Sequence, residues 1–169
     1  YLPAGSSYRI TPFELAKGFR LVGSSEGVKP KVILDDWWRI AEGSYITALE
    51  FENIEFSHTS NNKYFMNADK SFTIESVSFV NCDFIGLTRG FWRHQQATSK
   101  HIMSFAVEGC RFDKCGWQTG SYGLMDLRSF NDPTAYDQVD KAVFRNCTFS
   151  RDNDGTTGFG WGNLFNAPY

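Results

Sequence analysis

Apolar positions along this chain fall in a six-residue pattern that occurs four times. Phe51-Glu52-Asn53-Ile54-Glu55-Phe56 is followed 28 residues later by Phe79-Val80-Asn81-Cys82-Asp83-Phe84, and 28 later again by Val107-Glu108-Gly109-Cys110-Arg111-Phe112. Phe144-Arg145-Asn146-Cys147-Thr148-Phe149 follows after 37. Self-similarity at such a period marks a repeat architecture. The first, fourth and sixth positions are apolar and read as inward, and the second and fifth are mostly polar and read as outward. Strict alternation would put the first and sixth on opposite faces. The third position, always Asn or Gly, resolves this, because those residues tolerate a left-handed backbone and let the strand bend. Five residues upstream of each motif, Ile46, Ile74, Ile102 and Val139 form a further apolar column.

Period-two alternation, rich in Phe, Val and Ile and without long amphipathic stretches, predicts strands rather than helices. One coil per repeat, stacked at the strand spacing of about 4.8 Å, gives an all-β parallel β-helix of about five coils. Phe, Ile and Cys columns then fill the interior, and the Asn column forms an amide ladder. Asp83 and Arg111, and Glu108 and Arg145, would face each other across coils with opposite charge. Residues 1–43 read as an opening coil and cap region and 44–169 as the repeated coils of a single domain. Thr11-Pro12-Phe13-Glu14 carries a helix N-terminus signal, but Gly18 follows too soon for more than a turn or two, so a helix ranks second there.

A second strand follows each motif: Tyr64-Phe65-Met66-Asn67-Ala68, Gly90-Phe91-Trp92-Arg93-His94, Gly123-Leu124-Met125-Asp126-Leu127-Arg128 and Asn163-Leu164-Phe165-Asn166-Ala167. From the second residue these align as apolar, apolar, polar. Asn67, Arg93, Asp126 and Asn166 therefore form one row. Both faces of these strands carry apolar residues, so the pattern leaves open whether Trp92 lies in the core or outside.

Composition narrows the function classes. At 169 residues there is ample chain for one core. A net charge of −2 gives no argument for nucleic acid or an anionic membrane surface, and no stretch is long and apolar enough for a membrane span. Aromatics reach 17 %, with 16 Phe; the columns account for many of these, so the Trp and Tyr outside them are the more informative. Cys82, Cys110 and Cys147 share a repeat position and read as stacked, reduced thiols. A Cys110–Cys115 pair or metal site is the alternative. The chain starts Tyr1-Leu2-Pro3, without Met or a signal peptide, and reads as a mature or excised piece. A β-helix has open ends, so more chain or a further domain is expected at one or both of them.

Two runs carry the chemistry. Arg89-Gly90-Phe91-Trp92-Arg93-His94 offers guanidinium forks for carboxylates, an indole for a sugar face, and an imidazole for proton transfer. Arg93 and His94 are the catalytic candidates if the chain is a lyase, which needs a base for a C5 proton and a cation for the enolate. The row Asn67, Arg93, Asp126 and Asn166, with Arg89, Trp92 and Arg128 beside it, is the substrate-binding candidate, since such a row tracks an extended polymer. Each also has a plainer reading, as core or as cross-coil ion pairing. Asp152-Asn153-Asp154-Gly155 resembles the start of a calcium loop, but no Glu completes it, so no cofactor is expected and calcium at Asp152 and Asp154 is the weak option. Asp35-Asp36-Trp37-Trp38 either plugs the first coil or makes a sugar platform. His58 and His101 are unassigned. Phosphate-loop, Ser-His-Asp and HExxH patterns are absent.

Leu2-Pro3-Ala4-Gly5, Tyr8-Arg9-Ile10, Gly18-Phe19-Arg20-Leu21-Val22-Gly23, Lys29-Pro30-Lys31-Val32 and the repeated F-x-N-C-x-F motif together resemble the pectate-lyase-like right-handed β-helix superfamily. More narrowly they are similar to the DUF4957 type of domain in secreted or surface proteins of Bacteroidetes. The resemblance covers nearly the whole chain. It implies a right-handed coil, an extracellular or outer-membrane location, and a polysaccharide partner in a glycan-utilisation system, and no catalytic motif is carried over with it. The leading expectation is therefore a polysaccharide-binding module. A polysaccharide lyase acting on a uronate polymer by β-elimination is the alternative, and a structural spacer or adhesin-like stalk the third.

Overall fold

One left-handed residue per turn is what the motif demands, and the chain supplies it. The backbone φ is 55° at Asn53, 50° at Asn81, 63° at Gly109 and 54° at Asn146. A computed structural model describes residues 1–60, 63–96, 98–116, 124–127, 137–150 and 165–166. All regular structure among them is strand. The first strands are β1 (Ser7–Ile10), β2 (Glu14–Leu15), β3 (Phe19–Val22), β4 (Lys31–Leu34), β5 (Arg39–Ile40) and β6 (Ser44–Glu52). Then come β7 (Glu55–His58), β8 (Tyr64–Ala68), β9 (Phe72–Val80), β10 (Asp83–Ile85), β11 (Gly90–His94) and β12 (Lys100–Glu108). The series ends with β13 (Arg111–Asp113), β14 (Met125–Asp126), β15 (Asp137–Val139), β16 (Ala142–Arg145), β17 (Thr148–Ser150) and β18 (Phe165–Asn166). The Thr11 segment leads into β2, so the strand reading holds there rather than the helix.

Every pairing is parallel and joins a strand to its equivalent one turn away, which makes a β-solenoid of about four turns. Three sheets run along it. One has the order β1-β4-β7-β10-β13-β17, a second β8-β11-β14-β18, and a third β3-β6-β9-β12-β15, with β16 also pairing with β12. β15 and β16 are thus two halves of one rung, interrupted at Asp140 and Lys141. A short pair, β2-β5, sits beside them.

The register realises the repeat residue by residue. Phe51 lies abreast of Phe79, Phe79 of Val107, and Val107 of Phe144. Phe56, Phe84, Phe112 and Phe149 form the sixth-position column, and Ile46, Ile74, Ile102 and Val139 form the upstream column. Stacking puts like rings parallel: Phe51 and Phe79 have centroids 4.9 Å apart at 6°, and Phe84 and Phe112 4.9 Å apart at 12°. Phe65 and Phe91 meet both columns at steeper angles. Aromatic pairs of this kind each contribute about 0.5–1.5 kcal/mol beyond the area they bury.

The Asn ladder is formed between Asn81 Nδ2 and Asn53 Oδ1 at 2.7 Å, and Gly109 leaves it without a third rung. Arg111 reaches Asp83 at 3.7 Å, and Arg145 reaches Glu108 at 3.7 Å. The cysteines are free thiols, so the Cys110–Cys115 pair is not made. Cys115 donates to the Phe84 carbonyl at 3.2 Å, and burial pushes its thiol up to about 12. The Cys82 amide donates to Cys110 Sγ at 3.3 Å, and burial pushes the Cys82 thiol up. These sulfurs serve as small core groups with carbonyl and amide partners.

Candidate functional site

The sheet of β8, β11, β14 and β18 holds the predicted row in the predicted register. Arg93 pairs with Asn67 on one side and Asp126 on the other, and Asp126 with Asn166. Trp38 bridges Met66 in parallel, which sets Arg39 beside Asn67 and extends the row by a turn. Phe65 and Phe91 point into the aromatic core, and so does Trp92, whose ring lies 5.1 Å from Phe105. Two successive inward residues mark a bend, after which alternation resumes and Asn67, Arg93 and Asp126 take the outer side. The question left open at Trp92 is thereby answered: it is fully buried in the core.

The row itself is shielded. Arg93 is only 4 % exposed, and Asn67 and Asp126 are buried with it. Arg93 Nη1 donates to the Tyr64 hydroxyl at 3.2 Å, and Arg89 Nε donates to the same oxygen at 3.1 Å. Both guanidinium groups lie over the Tyr64 ring, at 5.3 Å for Arg89 and 5.5 Å for Arg93. Gly90 makes room for this. It is abreast of Tyr64, its φ is 149°, and a Cβ there would come within 3.1 Å of the Tyr64 ring.

Next along the face stands Trp37, edge-on to Tyr64 with centroids 6.2 Å apart. Lys63 Nζ lies 4.4 Å from the Trp37 ring centre and Arg39 Cζ 5.2 Å from it. Asp36 ties both cations down, at 3.0 Å from Lys63 and 3.3 Å from Arg39. Burial works to raise the Asp36 carboxyl, but the Lys63 hydrogen bond and the Trp37 amide hold it below its ordinary value. Burial raises the Tyr64 phenol against the pull of Arg93 and Arg89, so it stays protonated. Trp37, Arg39, Lys63 and Arg89 are half-buried, whereas Tyr64 beneath them is buried. Two rings and four cations therefore occupy three successive turns of one face.

The two tryptophans of Asp35–Trp38 part company. Trp38 is buried under Phe13 and Phe19 and plugs the early coil, whereas Trp37 stands outside on the basic face.

His94 is elsewhere in character. It follows Arg93 by one residue, so it turns inward. Its ring has 0 % exposure, stands edge-on to Phe72 at 5.8 Å, and lies 3.5 Å from Asp137. Asp137 is also 3.5 Å from Lys100, which donates to the Gln96 and Thr98 carbonyls at 3.0 and 2.8 Å. Burial lowers the His94 imidazole despite Asp137, and lowers the Lys100 ammonium. A base must reach the proton it takes, and no atom of His94 meets solvent.

Arg128, Asp152 and Asp154 lie outside the described residues, as does the Asn166 side chain. Among the described residues no three His, Cys, Asp or Glu side chains are grouped to hold a metal ion, and no helix is long and apolar enough to cross a membrane. His58 is clamped between the Leu34 and Tyr64 carbonyls at 3.1 and 2.7 Å. His101 pairs with Asp140 at 3.0 Å. Arg39, Lys63 and Tyr64 were not singled out from sequence. A signal for two of them existed: Tyr64 aligns with Gly90, so Lys63 and Arg89 are equivalent positions one turn apart. No protein-family model, curated protein or solved structure matches the chain.

Proposed function

We propose that the protein is a polysaccharide-binding module of a bacterial surface or secreted glycan-utilisation system, and that the basic aromatic face takes an acidic polymer. The observation that carries this reading is the run of half-buried Trp37, Arg39, Lys63 and Arg89 across three turns, stacked over the buried Tyr64 and Arg93. The half-buried Trp37 indole offers apolar ring surface to a sugar, and Arg39, Lys63 and Arg89 around it offer charge-assisted bonds to uronate carboxylates, while Tyr64 and Arg93 lie buried beneath them. Turn-to-turn repetition at the strand spacing suits an extended chain better than a single sugar. The DUF4957-type resemblance of the opening segments supports a cell-surface or secreted setting. A right-handed coil is the expected hand, because parallel strands joined within one sheet cross over that way.

Calorimetric titration with oligogalacturonates of increasing length tests this. Affinity should rise with length, and Lys63→Ala and Arg89→Ala should each weaken it about tenfold, the scale of one charge-assisted bond. No binding across a panel of uronate oligomers would leave a spacer and sink the proposal. Ultraviolet absorbance growing with time would mark β-elimination and replace binding by the lyase reading.

A further inference from the structure

A second concavity lies on a different sheet. Where β6, β9 and β12 begin, a cleft of about 320 Å³ crosses three turns, at the lower end of the range for small-molecule sites. Ser44, Tyr45, Ser71, Thr73, Ser99 and His101 line it. Tyr45, Thr73 and His101 are abreast of one another, so one wall repeats once per strand spacing. Tyr45 is 58 % exposed, and its hydroxyl donates to Glu75 at 2.6 Å, which fixes the ring at the cleft edge.

The charge here is opposite to that of the Trp37 face. Glu42 accepts from the Ser71 amide at 3.4 Å. Glu75 holds Tyr45, and Asp140 holds His101 and Gln138. Lys100 lines the same cleft, yet its ammonium has no exposed surface and is spent on the Gln96 and Thr98 carbonyls and on Asp137. An anionic rim repels acidic polymers. Carboxylates and hydroxyls beside an exposed ring are instead matched to uncharged polyols, whose hydroxyl groups donate to the former and whose ring faces pack on the latter. We infer that this cleft is a second carbohydrate site, taking an uncharged oligosaccharide along the solenoid with one sugar face on Tyr45.

Calorimetric titration of the intact chain with cellohexaose, xylohexaose and mannohexaose tests the inference, with hexagalacturonate run in parallel. At least one neutral hexamer should bind. Tyr45→Ala and Thr73→Lys should weaken it at least tenfold, and Tyr45→Phe, which keeps the ring, should retain most of the affinity. Lys63→Ala and Arg89→Ala should leave neutral binding unchanged, so the two sites are read independently. Thermal melts of the Tyr45 variants should match the parent, since the ring is outside the core. Absence of neutral binding, or neutral binding indifferent to Tyr45→Ala and Thr73→Lys, overturns the inference. So does neutral binding lost in Lys63→Ala and Arg89→Ala, which would mean a single site.

Discussion

Gly109 is the odd member of its column. The Asn81 amide donates to Asn53 Oδ1, while that of Asn53 donates to Glu52, and the position needs a left-handed residue at every turn. Glycine meets that need but contributes no side chain. A Cβ at Gly109 would sit 3.9 Å from the Asn81 amide nitrogen, an ordinary contact. Gly109→Asn should therefore extend the ladder and stiffen the unfolded chain less unfavourably than glycine does, for a gain of about 1 kcal/mol and a rise of about 2–4 °C in Tm. Gly109→Ala places a Cβ in the same backbone without the amide and should lower Tm instead. Thermal melts followed by circular dichroism decide it, and a lower Tm for Gly109→Asn would refute the ladder argument. Residues of this kind were readable from sequence because alternation records which face a side chain takes, and Asn or Gly at a fixed place records a bend. Trp92 was not readable. Its strand bends between Phe91 and Arg93, with two apolar residues inward in succession, and no left-handed Asn or Gly marks the bend.

At the level of the element, β11 shows how adjacent residues divide. Arg93 goes outward to Tyr64, and His94 goes inward to Asp137, Lys100 and Phe72, with Asp126 acting on it from β14. Burial sets the His94 imidazole below its ordinary 6.5. Below that pH the unfolded chain takes a proton that the folded chain refuses, so stability falls as pH drops from about 6.5 toward the lowered folded value. Above 6.5 both states are neutral there and the effect vanishes. His58, lowered in the same direction by burial, adds to the slope. His94→Leu should flatten the dependence of urea midpoint on pH between about 7 and 5 relative to the parent. An unchanged slope would show that His94 titrates alike in both states. The pairing of β8, β11 and β14 was legible from the shared apolar, apolar, polar run after each motif, and so was the Asn67–Arg93–Asp126 row. The shielding of that row and the company of Trp37, Arg39 and Lys63 were not, because loops of unequal length decide what lies beside a rung.

Over the whole molecule, the two candidate sites sit on different sheets and carry opposite charge, although the net charge of the chain is only −2. Composition averaged over such a chain cannot report either face. Only the fold, which brings Arg39, Lys63, Arg89 and Arg93 together on one side and Glu42, Glu75 and Asp140 around the β6-β9-β12 cleft, separates them.

Nearest-neighbour pairing also sets how the molecule opens. β9 is held by β6 on one side and β12 on the other across eight registered positions each. β3 is paired with β6 and β1 with β4, each on one side only among the described residues, and Phe19, Leu21 and Ile10 there are merely half-buried. A linear stack of this kind melts from its less supported rungs rather than everywhere at once. Amide hydrogen exchange should thus be a ruler along the axis. Protection should be weaker in β1 and β3, as in β16 and β17, than in β4 and β6, and strongest in β9, where the Phe79 amide should exchange only on global unfolding. Equal protection in β3 and β9 would mean that the solenoid opens as a single unit.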